Sequence, residues 1–383
     1  MKKDRIEATY LLAFQIEPVQ RAIDLLLAEM TCGIQYVSTR EGVRMDKICE
    51  SVPFVDDSTR GEVLEVEQKE DDTYLVRYAI PASNLDASIG GITNLWPIVA
   101  GEVFNFHFIK RATLVNLELP RSFDEHYLGP KFGIDGIRAL LGAAQGPLFG
   151  CIIKPNVGLD PERAARTAGI LAEAGFDFIK DDEIIVNPAL CPLDRRVKGI
   201  SEAVDRASQR LGKKILFTAN VTSDAFSIGK AAETALRAGA GGLMIDPFCA
   251  GISSIDFLRR HFSVPIYSHR VGYGLSCLGQ PYSISYEVFT MLFRILGTDF
   301  SHVGGIWGAS DSGRKKTARY LELLRKETSK RAAWPVVTGI STENMSDYYN
   351  FYGNDTMFMD HIDIYRDEEG ARRKLLSLKQ RTQ

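Results

Sequence analysis

The chain has 383 residues, of which 45% are hydrophobic and 25% charged, and its 46 basic and 49 acidic side chains leave a net charge of −3. That balance excludes a largely disordered protein, and with no polybasic run it argues against a nucleic acid or an anionic membrane as partner. A small-molecule substrate and a cytoplasmic location are expected. Cys32, Cys49, Cys151, Cys191, Cys249 and Cys277 are far apart with no CxxC pair, and no secretory start precedes them, so they read as reduced thiols. No run reaches the roughly 20 apolar residues a bilayer-spanning helix needs.

In residues 1–145, "ATYLLAF", "GEVLEVEQ", "TYLVRYAIP" and "FNFHFIKRATLVNLEL" alternate apolar and polar residues, as half-buried antiparallel strands do. "EPVQRAIDLLLAEM" and "NLDASIGGITNLW" have helical spacing. The pattern predicts a small α+β domain of ferredoxin-like type. Residues 146–383 change rhythm: the short apolar runs "PLFGCIIKP", "FDFIKDDE", "ILFTANV", "GLMIDPF", "PIYSHR", "DFSHVGG", "PVVTGI" and "MFMDHID" alternate with amphipathic stretches such as "DPERAARTAGILAEAG". Strand and helix repeated in this way predict a (β/α)8 TIM barrel with parallel strands.

Active sites of such barrels collect at the C-terminal ends of the strands. Read in order, those ends carry Lys154; Lys180, Asp182 and Glu183; Asn220; Asp246; His269 and Arg270; His302; Thr338; and Asp360, His361 and Asp363. In "FDFIKDDE", side-chain alternation puts Phe178, Lys180 and Asp182 on one face and Ile179, Asp181 and Glu183 on the other, with Glu183 brought round where the strand gives way to a loop. Two carboxylates at one spot suit a hard cation such as Mg2+, but an ammonium group beside that cation is repelled. Lys180 therefore reads either as a Schiff-base nucleophile or as an amine that takes up CO2 to form an anionic carbamate, and the neighbouring carboxylates favour the carbamate. The plainer alternatives are a solvated KDDE turn, core histidines at 269 and 302, and loop-capping roles for Asp360 and Asp363.

"GCIIKPNVGL", then "GFDFIKDDE", then "HR" after the fifth run and "SH" after the sixth resemble the large subunit of Rubisco over nearly the whole chain. The resemblance implies a carbamylated Lys180 that binds Mg2+ with Asp182 and Glu183, a catalytic Lys154, and substrate contacts from His269, Arg270 and His302. It also implies a homodimer, since Glu29 of "AEMTCG" would enter a partner's site, and it points to Glu102 of "GEVFNF". Asn156 stands where the family has a second lysine. "HVGGIWGASDSGRKK" lacks the loop lysine that assists CO2 addition, and "TGIS" keeps only Gly339, beside Thr338, of a phosphate-binding glycine pair. These departures resemble the Rubisco-like proteins, or form IV, and imply enolisation, isomerisation or decarboxylation of a sugar phosphate or oxidised sugar acid, not CO2 fixation. A Schiff-base lyase and a non-catalytic binding or regulatory homologue are the competing expectations.

Overall fold

The computed structural model describes residues 4–15, 18–39, 42–48, 56–326, 328–360 and 367–382. Chain contacts divide it into two compact units: Met1–Tyr127 with Tyr273–Phe289, and Leu128–Gly272 with Thr290–Gln383.

In the first unit, strand Arg5–Phe14 buries Ile6, Ala8, Tyr10, Leu12 and Phe14, the period-two set of one sheet face. It lies at the centre of a five-stranded sheet ordered Tyr282–Ile284, Ile109–Glu118, Arg5–Phe14, Tyr74–Pro81, Glu62–Gln68. The outermost of these, Tyr282–Ile284, follows the fifth barrel strand in the chain yet pairs parallel with Ile109–Glu118. Helix Val19–Glu29 buries Ala22, Ile23, Leu25 and Leu26, and the Tyr78 hydroxyl donates to the Ile23 carbonyl at 3.2 Å, tying helix to sheet.

The second unit is, among the described residues, a closed barrel of eight parallel strands. In chain order they are Leu148–Ile152, Phe178–Lys180, Leu216–Asn220, Gly242–Ile245, Ile266–Ser268, Phe300–His302, Trp334–Val337 and Met357–Asp360. The strands are buried nearly throughout, as strands covered on both faces must be. One residue in two joins a single core cluster: Leu148, Ile152, Phe178, Leu216, Met244, Tyr267, Phe300, Trp334, Val336, Met357 and Met359. Ile137 and Leu141, from helix Gly133–Leu141, complete it. Burying each large side chain contributes about 1.5–3 kcal/mol. Gly150 leaves room for this packing: a Cβ there would come within 2.2 Å of the Met359 sulfur, so any larger residue would make that side chain shift.

The connecting helices start and stop where local chemistry dictates. Pro161–Ala174 begins at Asp160, whose carboxylate accepts the Arg163 N–H at 2.8 Å, and ends at Gly175 with φ +96°. Asp299 gathers the N–H groups of Phe132, Gly133 and Ile266 at 2.8–3.0 Å, fastening helix Gly133–Leu141 to the fifth and sixth strands. Among the described residues no helix is long and apolar enough to cross a membrane.

Candidate active site

The core cluster fixes which side chains reach the C-terminal mouth of the barrel. Phe178 faces inward, so Lys180 and Asp182 do too, and Asp181 faces the surrounding helices. Four consecutive charges are thereby sorted into separate environments. Asp181 pairs with Arg196 of helix Leu193–Leu211 through bonds of 3.3 and 3.1 Å, both side chains being almost fully buried. Asp182, also buried, accepts from the Lys154 ammonium and from the Ile184 N–H at 3.1 Å. The Lys180 ammonium, fully buried, donates to the Asp181 carbonyl at 2.8 Å and approaches Glu183 Oε2 at 3.4 Å.

The other strand ends close around this group. Lys154 also donates to Asn156 Oδ1 at 2.8 Å. Asn220 donates to the carbonyls of Asp182 and Glu183 at 3.2 and 2.9 Å, and its Oδ1 accepts from Thr222. Its role in the structure is thus to hold the loop that carries the two acids. His269 lies 3.7 Å from Glu183 through Nε2 and 3.3 Å from Asp246 Oδ1 through Nδ1. The Val271 N–H points at the same Nδ1 from 3.2 Å. That nitrogen can accept from Val271 or donate to Asp246, and the choice sets whether the proton of a neutral ring sits on Nε2 or Nδ1.

His302 Nε2 hydrogen-bonds the Tyr267 hydroxyl, and its ring meets that of His269 edge-on at 4.4 Å. Burial holds the His302 pKa well below 6.5, reinforced by the charges of His269, Arg270 and Lys180. Arg270 lies over Gly304, where a Cβ would sit 2.7 Å from its guanidinium; φ there is +86°. The glycine thus makes room for the arginine.

Glu183 is the other strongly shifted group. Burial alone would raise it, but Lys180, His269 and Lys154 outweigh burial and hold its pKa at about 2. Lys180 moves below its ordinary value because desolvation exceeds the pull of Glu183, Asp182 and Asp246.

Gly339 and Asp360 make contacts of their own. Thr338 and Gly339 follow the seventh strand, where the Gly339 carbonyl accepts from Asn344 at 3.0 Å. Asp360 pairs with Lys374 at 3.0 Å, an anchor for the last helix. His361 and Asp363 lie outside the described residues. Glu29 ends helix Val19–Glu29 and Glu102 is exposed on a short turn, both in the first unit. Sequence reading missed Arg196, Tyr267 and Thr222. Tyr267 alone had a usable signal, standing two residues before His269 on the same strand face.

Two carboxylates, each matched by an ammonium group, form a nearly neutral set that has no need of a cation. Among the described residues no three unmodified His, Cys, Asp or Glu side chains converge as metal ligands. A carbamate at Lys180 changes this: one cation becomes an anion, and three oxygen-bearing side chains then fit a hard divalent ion. The lowered proton affinity of Lys180 favours the neutral amine that such a modification needs.

Residues 133–355 match the model of the ribulose bisphosphate carboxylase large chain, catalytic domain. The chain belongs to the Rubisco large-chain family. It is 36% identical to the 3-oxo-isoapionate-4-phosphate transcarboxylase/hydrolase of Xanthobacter autotrophicus, over 59% of this chain and 54% of that one. It is 30% identical to the 3-oxo-isoapionate-4-phosphate decarboxylase of Rhizobium rhizogenes, over 58% of this chain and 53% of that one. The alignments span about half the length of both relatives. A Rubisco-like protein of Burkholderia fungorum superimposes with a TM-score of 0.82 at 26% identity, covering 99% of this chain and 93% of that one. Asn156 Oδ1, by accepting from the Lys154 ammonium at 2.8 Å, orients that lysine.

The buried, neutral His302 gives this Rubisco-like chain a measurable pH signature. A base whose folded pKa is depressed costs stability where the unfolded chain binds a proton that the folded chain refuses, that is, as pH falls below about 6.5. Unfolding free energies from urea titrations at pH 7 and 5 are expected to differ more in the wild type than in His302→Gln, by up to about 1.4 kcal/mol per pH unit. Equal pH slopes in the two proteins would show that His302 titrates freely.

Proposed function

We propose that this Rubisco-like chain is a Mg2+-dependent enzyme that forms an enolate by releasing CO2 from a phosphorylated 3-oxo sugar acid, and does not fix CO2. The observation that carries the reading is the convergence of Lys154, Lys180, Asp182 and Glu183 at the barrel mouth. The substrate class is supported by the names of the Xanthobacter and Rhizobium relatives. Lys180 as carbamate, Asp182 and Glu183 would hold Mg2+, which when bound supplies a Lewis acid to polarise the 3-oxo carbonyl.

The protein side chains have separate tasks. The substrate carboxylate leaves as CO2, which breaks its bond to the carbon beside the ketone and leaves that electron pair in the enolate, so no strong base is needed. That carbon must then take up a proton. Lys154, held by Asp182 and Asn156 and partly open to solvent, is placed to carry this proton on Nζ. Arg270, fixed over Gly304, and His269 offer donors to the anionic substrate. His302, kept neutral, presents an imidazole that adds no charge to the site. A homodimer in the cytoplasm, with Glu29 of one subunit entering the site of the other, accords with the family resemblance.

The test is release of CO2 from a phosphorylated 3-oxo sugar acid, which should require both bicarbonate preincubation and Mg2+ and stop with EDTA. Turnover indifferent to EDTA would overturn the reading. The desolvated amine of Lys180 also favours a second chemistry, a Schiff base with the ketone. Borohydride trapping of substrate on Lys180, with no need for metal, would establish that route in its place.

A further inference from the structure

Thr218 lies in the third barrel strand between Leu216 and Asn220, fully buried and on their inward face. In the sheet register Lys180 is flanked by Ile152 on one side and Thr218 on the other, and Gly242 follows Thr218. A Cβ at Gly242 would come within 2.8 Å of the Thr218 methyl, so the methyl occupies the side away from Lys180. Ile152 carries no polar atom, which leaves the Thr218 hydroxyl as the polar group in register with the lysine. That hydroxyl has no hydrogen-bond partner. An interior hydroxyl left unpaired is costly, and valine would fill the same volume without that cost. A threonine here makes physical sense if its partner is a group that Lys180 acquires.

We propose that Thr218 is the positioning residue for the Lys180 carbamate, its hydroxyl donating to one carbamate oxygen. The inference rests on the carbamate reading above. In the modification the Nζ lone pair forms an N–C bond to CO2, one C=O π pair moves onto oxygen, and the displaced amine proton is released to water. The product is an anion with acceptor lone pairs beside a donor that lacked one. A hydrogen bond to a charged acceptor also fixes the plane of the new group, leaving its remaining lone pairs for a cation.

The experiment uses the full-length protein with 13C-bicarbonate, reading the carbamate carbon by NMR, with Mg2+ binding followed by calorimetry. Wild type should show a carbamate signal that is absent in Lys180→Met. Thr218→Val should need roughly 10- to 100-fold more bicarbonate for the same signal, the range for losing a bond to a charged group, and should bind Mg2+ correspondingly less well. Thr218→Ser should restore both. Without bicarbonate, Thr218→Val should unfold at the same urea concentration as wild type or higher, because only an unpaired hydroxyl has been removed. Carbamylation of Thr218→Val at wild-type bicarbonate levels would overturn the proposal and leave the carbamate intact. A wild type with no Lys180-dependent signal would instead overturn the carbamate and the role of Thr218 together.

Discussion

Lys180→Met is expected to reduce Mg2+-dependent CO2 release on the order of 10³-fold, the scale seen when a main electrostatic stabiliser of a developing oxyanion is lost. Methionine has nearly the length of lysine and suits a fully buried position, so no cavity opens. The loss should therefore appear in turnover while the protein stays folded at neutral pH. A second readout separates this from a general disturbance. Glu183 is held at about 2 against burial, with Lys180 the largest of the groups that lower it. Removing Lys180 should let its pKa rise toward the ordinary carboxylate range. A depressed acid contributes stability that is present above its unfolded pKa and is lost as pH falls toward the folded value. The wild type should accordingly lose stability between about pH 4.5 and 2 more steeply than Lys180→Met. Urea titrations across that window, alongside the assay, check both halves; CO2 release within tenfold of wild type would sink the assigned role of Lys180.

Much of this arrangement was legible in the chain. Eight apolar runs separated by amphipathic stretches led to the barrel, because a strand covered on both faces must be apolar throughout while its flanking helices keep one wet side. Alternation in "FDFIKDDE" placed Lys180 and Asp182 inward, since a strand offers only two faces. What alternation could not show was partner choice across the fold. Asp181 was assigned a face but no partner, because Arg196 lies 15 residues on in a helix whose charged positions mostly face water. The strand Tyr282–Ile284 is three residues long and joins the first unit's sheet through parallel pairing with a segment far back in the chain, a long-range choice with no local period to announce it. Tyr267 stands two residues before His269, but its hydroxyl matters only because the sixth strand brings His302 within hydrogen-bonding reach of it.

Arg196→Met is expected to be the most destabilising single change near the site. Its guanidinium makes two bonds to Asp181 and one each to the carbonyls of Cys191 and Val186, at 2.9 and 2.8 Å. One buried side chain thus ties the end of the second strand to the loop that follows Glu183. Asp181 has another partner in the Asn220 N–H at 3.2 Å, which cannot neutralise a carboxylate. Removing the arginine leaves that charge buried and two carbonyls without their donor, at a cost of about 3–5 kcal/mol. Urea unfolding should show the loss directly. Arg196→Met combined with Asp181→Leu should recover part of it, because the stranded charge is gone and a buried pair replaced by apolar groups is often near neutral. If the single variant costs less than about 1 kcal/mol, or the pair of changes is simply additive, Arg196 does not hold the loop in the way the geometry implies. With the loop loosened, Asp182 and Glu183 lose their fixed placement opposite Lys154 and Lys180. Mg2+ affinity should then fall in Arg196→Met although Arg196 itself supplies no ligand, since preorganisation of the acids is what the buried pair provides.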